Sequence, residues 1–197
     1  MISQGNKIVA IASSTGGPKA LQELIPLLPS NLNAPLVLVQ HMPAGFTRAL
    51  ADRLNDLSQI TVSEAKEGEL LERGHLLMSM GGKHMNVDRT AAGKHRIRYS
   101  DEPSREGVKP CANYMFESLI NSGFSEIVCV VLTGMGADGT AGIRALKQQK
   151  KVTVIVQSEE TCTVYGMPKA AVKAGLATQG LDLQSIAREI IKNVGVC

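Results

Sequence analysis

The sequence has no tryptophan, and only three tyrosines and three phenylalanines in 197 residues. Proteins that grip single-stranded nucleic acid stack bases on aromatic rings, so this scarcity argues against such a platform. Neither sign of charge dominates: 21 Lys+Arg against 18 Asp+Glu leave +3, too little for the basic footprint of a nucleic-acid binder. The four cysteines, Cys111, Cys129, Cys162 and Cys197, lie far apart and form no Cys-x-x-Cys pair. Free thiols in a reducing compartment are therefore expected, with Cys129 in the core. No apolar run is long. The longest, Ile127–Leu132, falls well short of the roughly 20 residues of a membrane span, and no secretory apolar segment opens the chain. A cytoplasmic location is expected, with no insertion into a membrane. Without repeats or low-complexity linkers, residues 1–197 are expected to form one domain, large enough to fold without a metal or disulfide.

What is present is a rhythm. Short apolar, β-branched runs at Lys7–Ala12, Pro35–Gln40, Ile60–Ala65, Glu126–Thr133 and Val152–Gln157 read as strands. Between and after them, helical periodicity marks Pro18–Leu28, Ala44–Leu57, Cys111–Ser122, Gly139–Gln149, Met167–Ala174 and Asp182–Val194. Strands apolar on both faces and separated by helices predict an α/β fold: a doubly wound, mostly parallel sheet with helices on both faces. Residues from about 69 to 101 break this rhythm. Short strands near His75–Met80, Met85–Arg89 and His95–Ser100, with glycine turns between them, predict a small antiparallel excursion on the sheet edge. Its cations, Lys83, Arg89, Lys94, Arg96 and Arg98, read first as a solvated face.

In open α/β sheets the chemistry gathers beyond the carboxyl ends of the strands. Three such ends carry conspicuous residues: Ser13, Ser14 and Thr15 after the first strand, His41 after the second, and Asp138 in "LTGMGADGTAGI". Each has an ordinary explanation. A serine in a glycine turn bonds the local backbone, a histidine can be a polar loop residue, and Asp138 before a helix is a natural N-cap. Together they form the set that hydrolysis requires: a hydroxyl, an imidazole to take its proton, and a carboxylate to orient the imidazole. Glycines after the serine would let backbone N–H groups meet an oxyanion. A rival sits in the third loop. Gly134, Gly136 and Gly139 spell G-x-G-x-x-G between strand and helix, with Glu159 20 residues beyond the last, the pattern of a dinucleotide site. Asp138 opposes that reading, because its charge would repel the pyrophosphate the loop is meant to attract.

"STGG" at Ser14–Gly17, "QHMPAGFT" at Gln40–Thr47, "LTGMGADG" at Leu132–Gly139 and "VYGMPKAA" at Val164–Ala171 closely resemble, in order and spacing, the catalytic domain of chemotaxis protein-glutamate methylesterases, the CheB type. The resemblance runs from about Lys7 to Val194. It implies that Ser14 is the nucleophile, His41 the general base, Asp138 the orienting carboxylate, and the Met135 N–H an oxyanion donor, with Thr15 in support. It also implies hydrolysis of γ-glutamyl methyl esters on the cytoplasmic helical region of methyl-accepting chemotaxis receptors, releasing methanol. Deamidation of receptor glutamines would use the same serine, and neither reaction needs a metal or cofactor. The alternatives left open are another ester substrate on the same triad, and the nucleotide module at Gly134–Gly139. An attraction between the basic segment Lys83–Arg98 and an acidic receptor is the second reading of that hairpin.

Three departures from the family pattern stand out. Ala12 replaces a glycine before the nucleophile turn. Cys111 and Asn113 stand where the family commonly has Ser and Asp, changes expected not to touch the triad. Finally, 13 residues before Ser14 leave no room for the receiver domain the family usually carries. An excised catalytic domain or a stand-alone paralogue is therefore expected, with any receiver or regulator acting in trans.

Overall fold

In the computed structural model, which describes residues 6–197, the first half of the chain contains β1 (Lys7–Ser13), α1 (Gly17–Leu24), β2 (Leu36–Gln40), α2 (Thr47–Leu57), β3 (Thr61–Glu64), β4 (His75–Met78), β5 (His84–Arg89) and β6 (His95–Ser100). The second half contains α3 (Ala112–Ser118), β7 (Glu126–Val131), α4 (Thr140–Gln149), β8 (Lys151–Gln157), α5 (Met167–Lys173), β9 (Gly180–Leu181) and α6 (Leu183–Val194). Seven strands form one sheet in the order β3-β4-β2-β1-β7-β8-β9, every pairing parallel.

The two-sided burial of these strands explains their sequence. Along β1, Val9 and Ile11 pack with α1, α2 and α6, while Ile8, Ala10 and Ala12 pack with α3, α4 and α5. Successive side chains of a strand point to opposite faces, so a sheet covered on both sides needs unbroken apolar runs. In α1, Leu21 and Leu24 are fully buried, each worth about 1.5–3 kcal/mol relative to exposure.

Helix ends differ from the periodicity in physically traceable ways. The predicted helix Pro18–Leu28 is α-helical only to Leu24 and finishes as a 3₁₀ turn at Ile25–Leu27. Pro26 has no N–H to donate and crowds the preceding turn. The next helix begins at Thr47 rather than Ala44, because Gly45 adopts φ 90°, outside helical space. Helix α3 likewise passes into a 3₁₀ turn at Leu119–Asn121.

The predicted antiparallel excursion is smaller than expected. β4 joins the main sheet, parallel to both β2 and β3. Leu76, Leu77 and Met78 are all buried, and three consecutive apolar residues suit an interior parallel strand rather than a hairpin open to water on one face. What remains is the β5–β6 hairpin, a separate two-stranded sheet with Val87 opposite Ile97. It lies not on the sheet edge but against α3, burying Met85, Val87 and Ile97. Its outer charges partly neutralise one another, since both Arg96 and Arg98 reach Asp88. The short β9 carried no sequence signal. No described helix is long and apolar enough to cross a membrane.

Candidate active site

β1 lies between β2 and β7, and the chain winds from it toward β2 first and fills the β7 side later. That reversal leaves a crevice at the carboxyl ends of the strands, the usual ligand position in such sheets. Ser13 pairs with Gln40 in the β1–β2 register, and the His41 N–H donates to the Ser13 carbonyl at 3.0 Å. The residues one step beyond, Ser14 and His41, therefore leave neighbouring strand ends, spaced about 4.8 Å apart in a sheet. On the other side the Ser14 N–H donates to the Thr133 carbonyl at 2.9 Å, bringing the loop after β7 alongside.

The two adjacent serines have different surroundings. Ser13 is fully buried and its hydroxyl donates to Gln40 Oε1 at 2.6 Å. Gln40 Nε2 in turn donates to the carbonyls of Ser14 at 2.9 Å and His41 at 3.1 Å. One buried amide thus fixes the backbone of both candidate reacting residues, a role sequence reasoning did not assign. Ser14 is half-buried, and among the described residues its Oγ makes no hydrogen bond. Strand parity fits this division. Ser13 and Gln40 continue the α1 face, whereas Ser14 and His41 continue the face covered by α3, α4 and α5.

On that face His41 Nε2 lies 2.7 Å from Oδ2 of Asp138, whose side chain is 3% exposed. A carboxylate at Nε2 fixes the proton there and leaves Nδ1 as the basic nitrogen. Ala112 N at 2.6 Å also donates to Oδ2, and Asn113 N at 3.0 Å and the Cys111 thiol at 3.1 Å donate to Oδ1. Burial alone would raise the Asp138 pKa, but hydrogen bonds from His41, the Ala112 amide, the Cys111 thiol and the Asn113 amide outweigh it and hold the carboxyl below its ordinary value. Burial, and then the charge of Asp138, push the Cys111 thiol up to about 12, so it is a donor rather than a nucleophile at neutral pH.

Two expectations are corrected here. Asp138 does not cap the helix that follows it. α4 begins at Thr140 after Gly139, at φ 95°, and the amides of Gly139 and Gly142 are accepted by Asn113 Oδ1 at 3.1 and 2.7 Å. Asp138 instead accepts the first amides of α3, so each helix is capped from the other. Nor are Cys111 and Asn113 remote from the candidate triad, since the Cys111 thiol and the Asn113 backbone N–H donate directly to Asp138. The sequence offered no signal for this, because residues 25 to 27 positions apart had to be brought together.

The remaining candidates line the same crevice. The Met135 N–H makes no hydrogen bond among the described residues, while its side chain is 72% exposed. Gly134 sits against Ser14: a Cβ there would come 2.7 Å from Ser14 Cβ and collide with the Met167 sulfur. Thr15 contributes its carbonyl, which accepts from Thr133 Oγ1 at 2.9 Å. Gln157 completes the frame, taking the Thr133 N–H at 2.8 Å. Gly134 of the G-x-G-x-x-G pattern therefore serves the approach of this loop to Ser14 and Gly139 its approach to α3, whereas Gly136 supplies a turn at φ 87°. Among the described residues, no group of three or more His, Cys, Asp or Glu side chains is placed to hold a metal.

A protein-family model described as CheB methylesterase matches residues 9–190. The chain belongs to the CheB methylesterase family. It is similar to the protein-glutamate methylesterase/protein-glutamine glutaminase of Bacillus subtilis (strain 168), 50% identical over 187 residues, which cover 94% of this chain and 52% of that protein. The Geobacillus kaustophilus (strain HTA426) protein of the same description is 44% identical over 188 residues, covering 95% and 54%. The chain thus spans about half the length of the curated relatives it matches. The crystal structure of the Thermotoga maritima CheB methylesterase catalytic domain superposes with a TM-score of 0.92 at 39% identity, covering 96% of this chain and all of that one.

Proposed function

We propose that this CheB-family chain hydrolyses γ-glutamyl methyl esters of chemoreceptors through Ser14, His41 and Asp138. The observation that carries the reading is the 2.7 Å bond between His41 Nε2 and buried Asp138, made by a histidine whose strand end adjoins that of Ser14. His41 Nδ1 takes the Ser14 hydroxyl proton as Oγ attacks the ester carbonyl, and the Met135 N–H, without a partner among the described residues, is available to the oxyanion. Collapse of the tetrahedral intermediate breaks the ester bond, and the imidazolium returns the proton to methanol as it leaves. Water then attacks the acyl-enzyme with His41 again as base, releasing the glutamate carboxylate and restoring Ser14. A glutamine side chain follows the same course with ammonia as the leaving group. The chemistry is complete without a metal or cofactor.

Phe46 and Met135, 61% and 72% exposed, lie on the two loops that carry His41 and Asp138. Exposed apolar side chains at the mouth of a site suit a macromolecular substrate such as a helical receptor surface.

The test is methanol release from membranes holding receptor with labelled methyl esters. Ser14→Ala should lower the rate by at least about 10³-fold. Ser13→Ala should keep most activity while losing about 1–2 kcal/mol of stability, because Gln40 Oε1 is left without its donor. A folded wild type that releases no methanol would overturn the receptor-ester reading and direct attention to other carboxylic esters.

A further inference from the structure

We propose that Cys111 is a positioning residue for the triad: its thiol, with the Asn113 amide, pins Oδ1 of Asp138 so that Oδ2 faces His41. The inference rests on the assignment of Ser14, His41 and Asp138 proposed above.

A carboxylate offers about four acceptor directions on its two oxygens. At Asp138 the four are taken in pairs: Oδ2 by His41 Nε2 at 2.7 Å and Ala112 N at 2.6 Å, and Oδ1 by Asn113 N at 3.0 Å and Cys111 Sγ at 3.1 Å. The two amides come with the first turn of α3 whatever its side chains are. The thiol depends on the residue at position 111. Among the described residues it is the one side-chain donor to Asp138 besides His41.

Its effect follows from the torsion about the Asp138 Cβ–Cγ bond. A carboxylate gripped at one oxygen can still twist about that bond, whereas donors on both oxygens hold its plane. That plane sets the direction in which Oδ2 meets the imidazole, and hence where Nδ1 points.

Cys111 is itself firmly placed. It is fully buried, and its N–H donates to His84 Nδ1 at 3.2 Å. Since Nδ1 accepts, the His84 proton lies on Nε2, 3.2 Å from the Pro103 carbonyl. The thiol therefore sits on a backbone tied through β5, and it carries its proton at neutral pH. A serine hydroxyl can give the same hydrogen bond; an alanine methyl cannot.

The test compares wild type, Cys111→Ser and Cys111→Ala in the full chain. The first readout is the downfield proton resonance of the His41–Asp138 hydrogen bond, assigned by its loss in Asp138→Asn. The second is kcat and KM for methanol release, alongside the melting temperature. Cys111→Ala should move the resonance and lower kcat about tenfold, with KM changed less than about twofold. Cys111→Ser should restore both. An unmoved resonance together with an unchanged kcat in Cys111→Ala would overturn the proposal. So would equal impairment of Ser and Ala, which would make the sulfur's bulk, not its proton, the cause. A wild type that releases no methanol would sink the methylesterase reading alone, because the resonance still decides the role of Cys111.

Discussion

Ser13 and Ser14 are neighbours with the same side chain, and a single step along the chain separates a structural hydroxyl from the proposed nucleophile. The first is spent on Gln40; the second is free of hydrogen bonds among the described residues and half-open to solvent. The close approach of the β7 loop keeps it in place, and that approach depends on Gly134. A methyl group there would meet Ser14 Cβ at 2.7 Å, well inside van der Waals contact, with the backbone of both residues already tied by ladder and turn hydrogen bonds. Relief must come from moving the loop, and the loop carries the Met135 N–H and Asp138. Gly134→Ala should therefore lower kcat/KM by about 10²-fold or more, as a displacement near 1 Å does to an aligned site. Its stability cost should be only about 1–3 kcal/mol. Paired kinetic and denaturant measurements check this; loss of stability without loss of activity would show that the site tolerates the shift.

Among elements, the informative pair is α3 and α4, which exchange caps. Asp138 precedes α4 yet receives the first amides of α3, while Asn113 belongs to α3 and receives the amides of Gly139 and Gly142. Asn113→Ala would strip two buried N–H groups of their acceptor, a cost of about 2–3 kcal/mol, to be read as a fall in the urea midpoint at unchanged slope. A loss below about 0.5 kcal/mol would mean that water replaces the cap, as at exposed helix ends. This exchange also marks the limit of what the sequence conveyed. The strand and helix runs were legible because burial on both faces writes itself as unbroken β-branched segments, and Ser14, His41 and Asp138 stood out at strand ends. β4 reads as half of a hairpin because two glycines and a histidine after Met80 look like hairpin punctuation. The burial of Leu76, Leu77 and Met78, which argues for an interior strand, is a weak cue in a run of three. Cross-helix capping was illegible. Asp before a helix ordinarily caps that helix, and only the packing of Gly142 against Asn113 and Phe116 brings α3 close enough to take the carboxylate instead.

For the whole molecule, the same carboxylate links the site to stability. The first turn of α3, the Cys111 thiol and His41 all converge on Asp138, so its ionisation belongs to the folded state as well as to the proposed chemistry. Its folded pKa is depressed, whereas in the unfolded chain it returns to about 3.9. The folded state thus binds this proton less readily than the unfolded state, and stability gained from the group rises with pH. That contribution is fully present above the unfolded value and is lost as pH falls through the folded one. Other depressed acids, including Asp88, Glu126 and Asp182, behave alike and obscure the effect in wild type alone. They cancel in a comparison with Asp138→Asn, which removes one carboxyl titration and leaves theirs in place. The variant should be less stable by about 2–3 kcal/mol near neutrality, where four hydrogen bonds to a charged group are weakened or reversed. The difference should narrow steadily as pH falls below about 4. Urea midpoints measured for both proteins from neutral to acid pH decide the matter. A gap that persists undiminished in acid would mean that Asp138 is held by packing rather than by its charge, and that the donors of α3 and His41 contribute far less than their geometry implies.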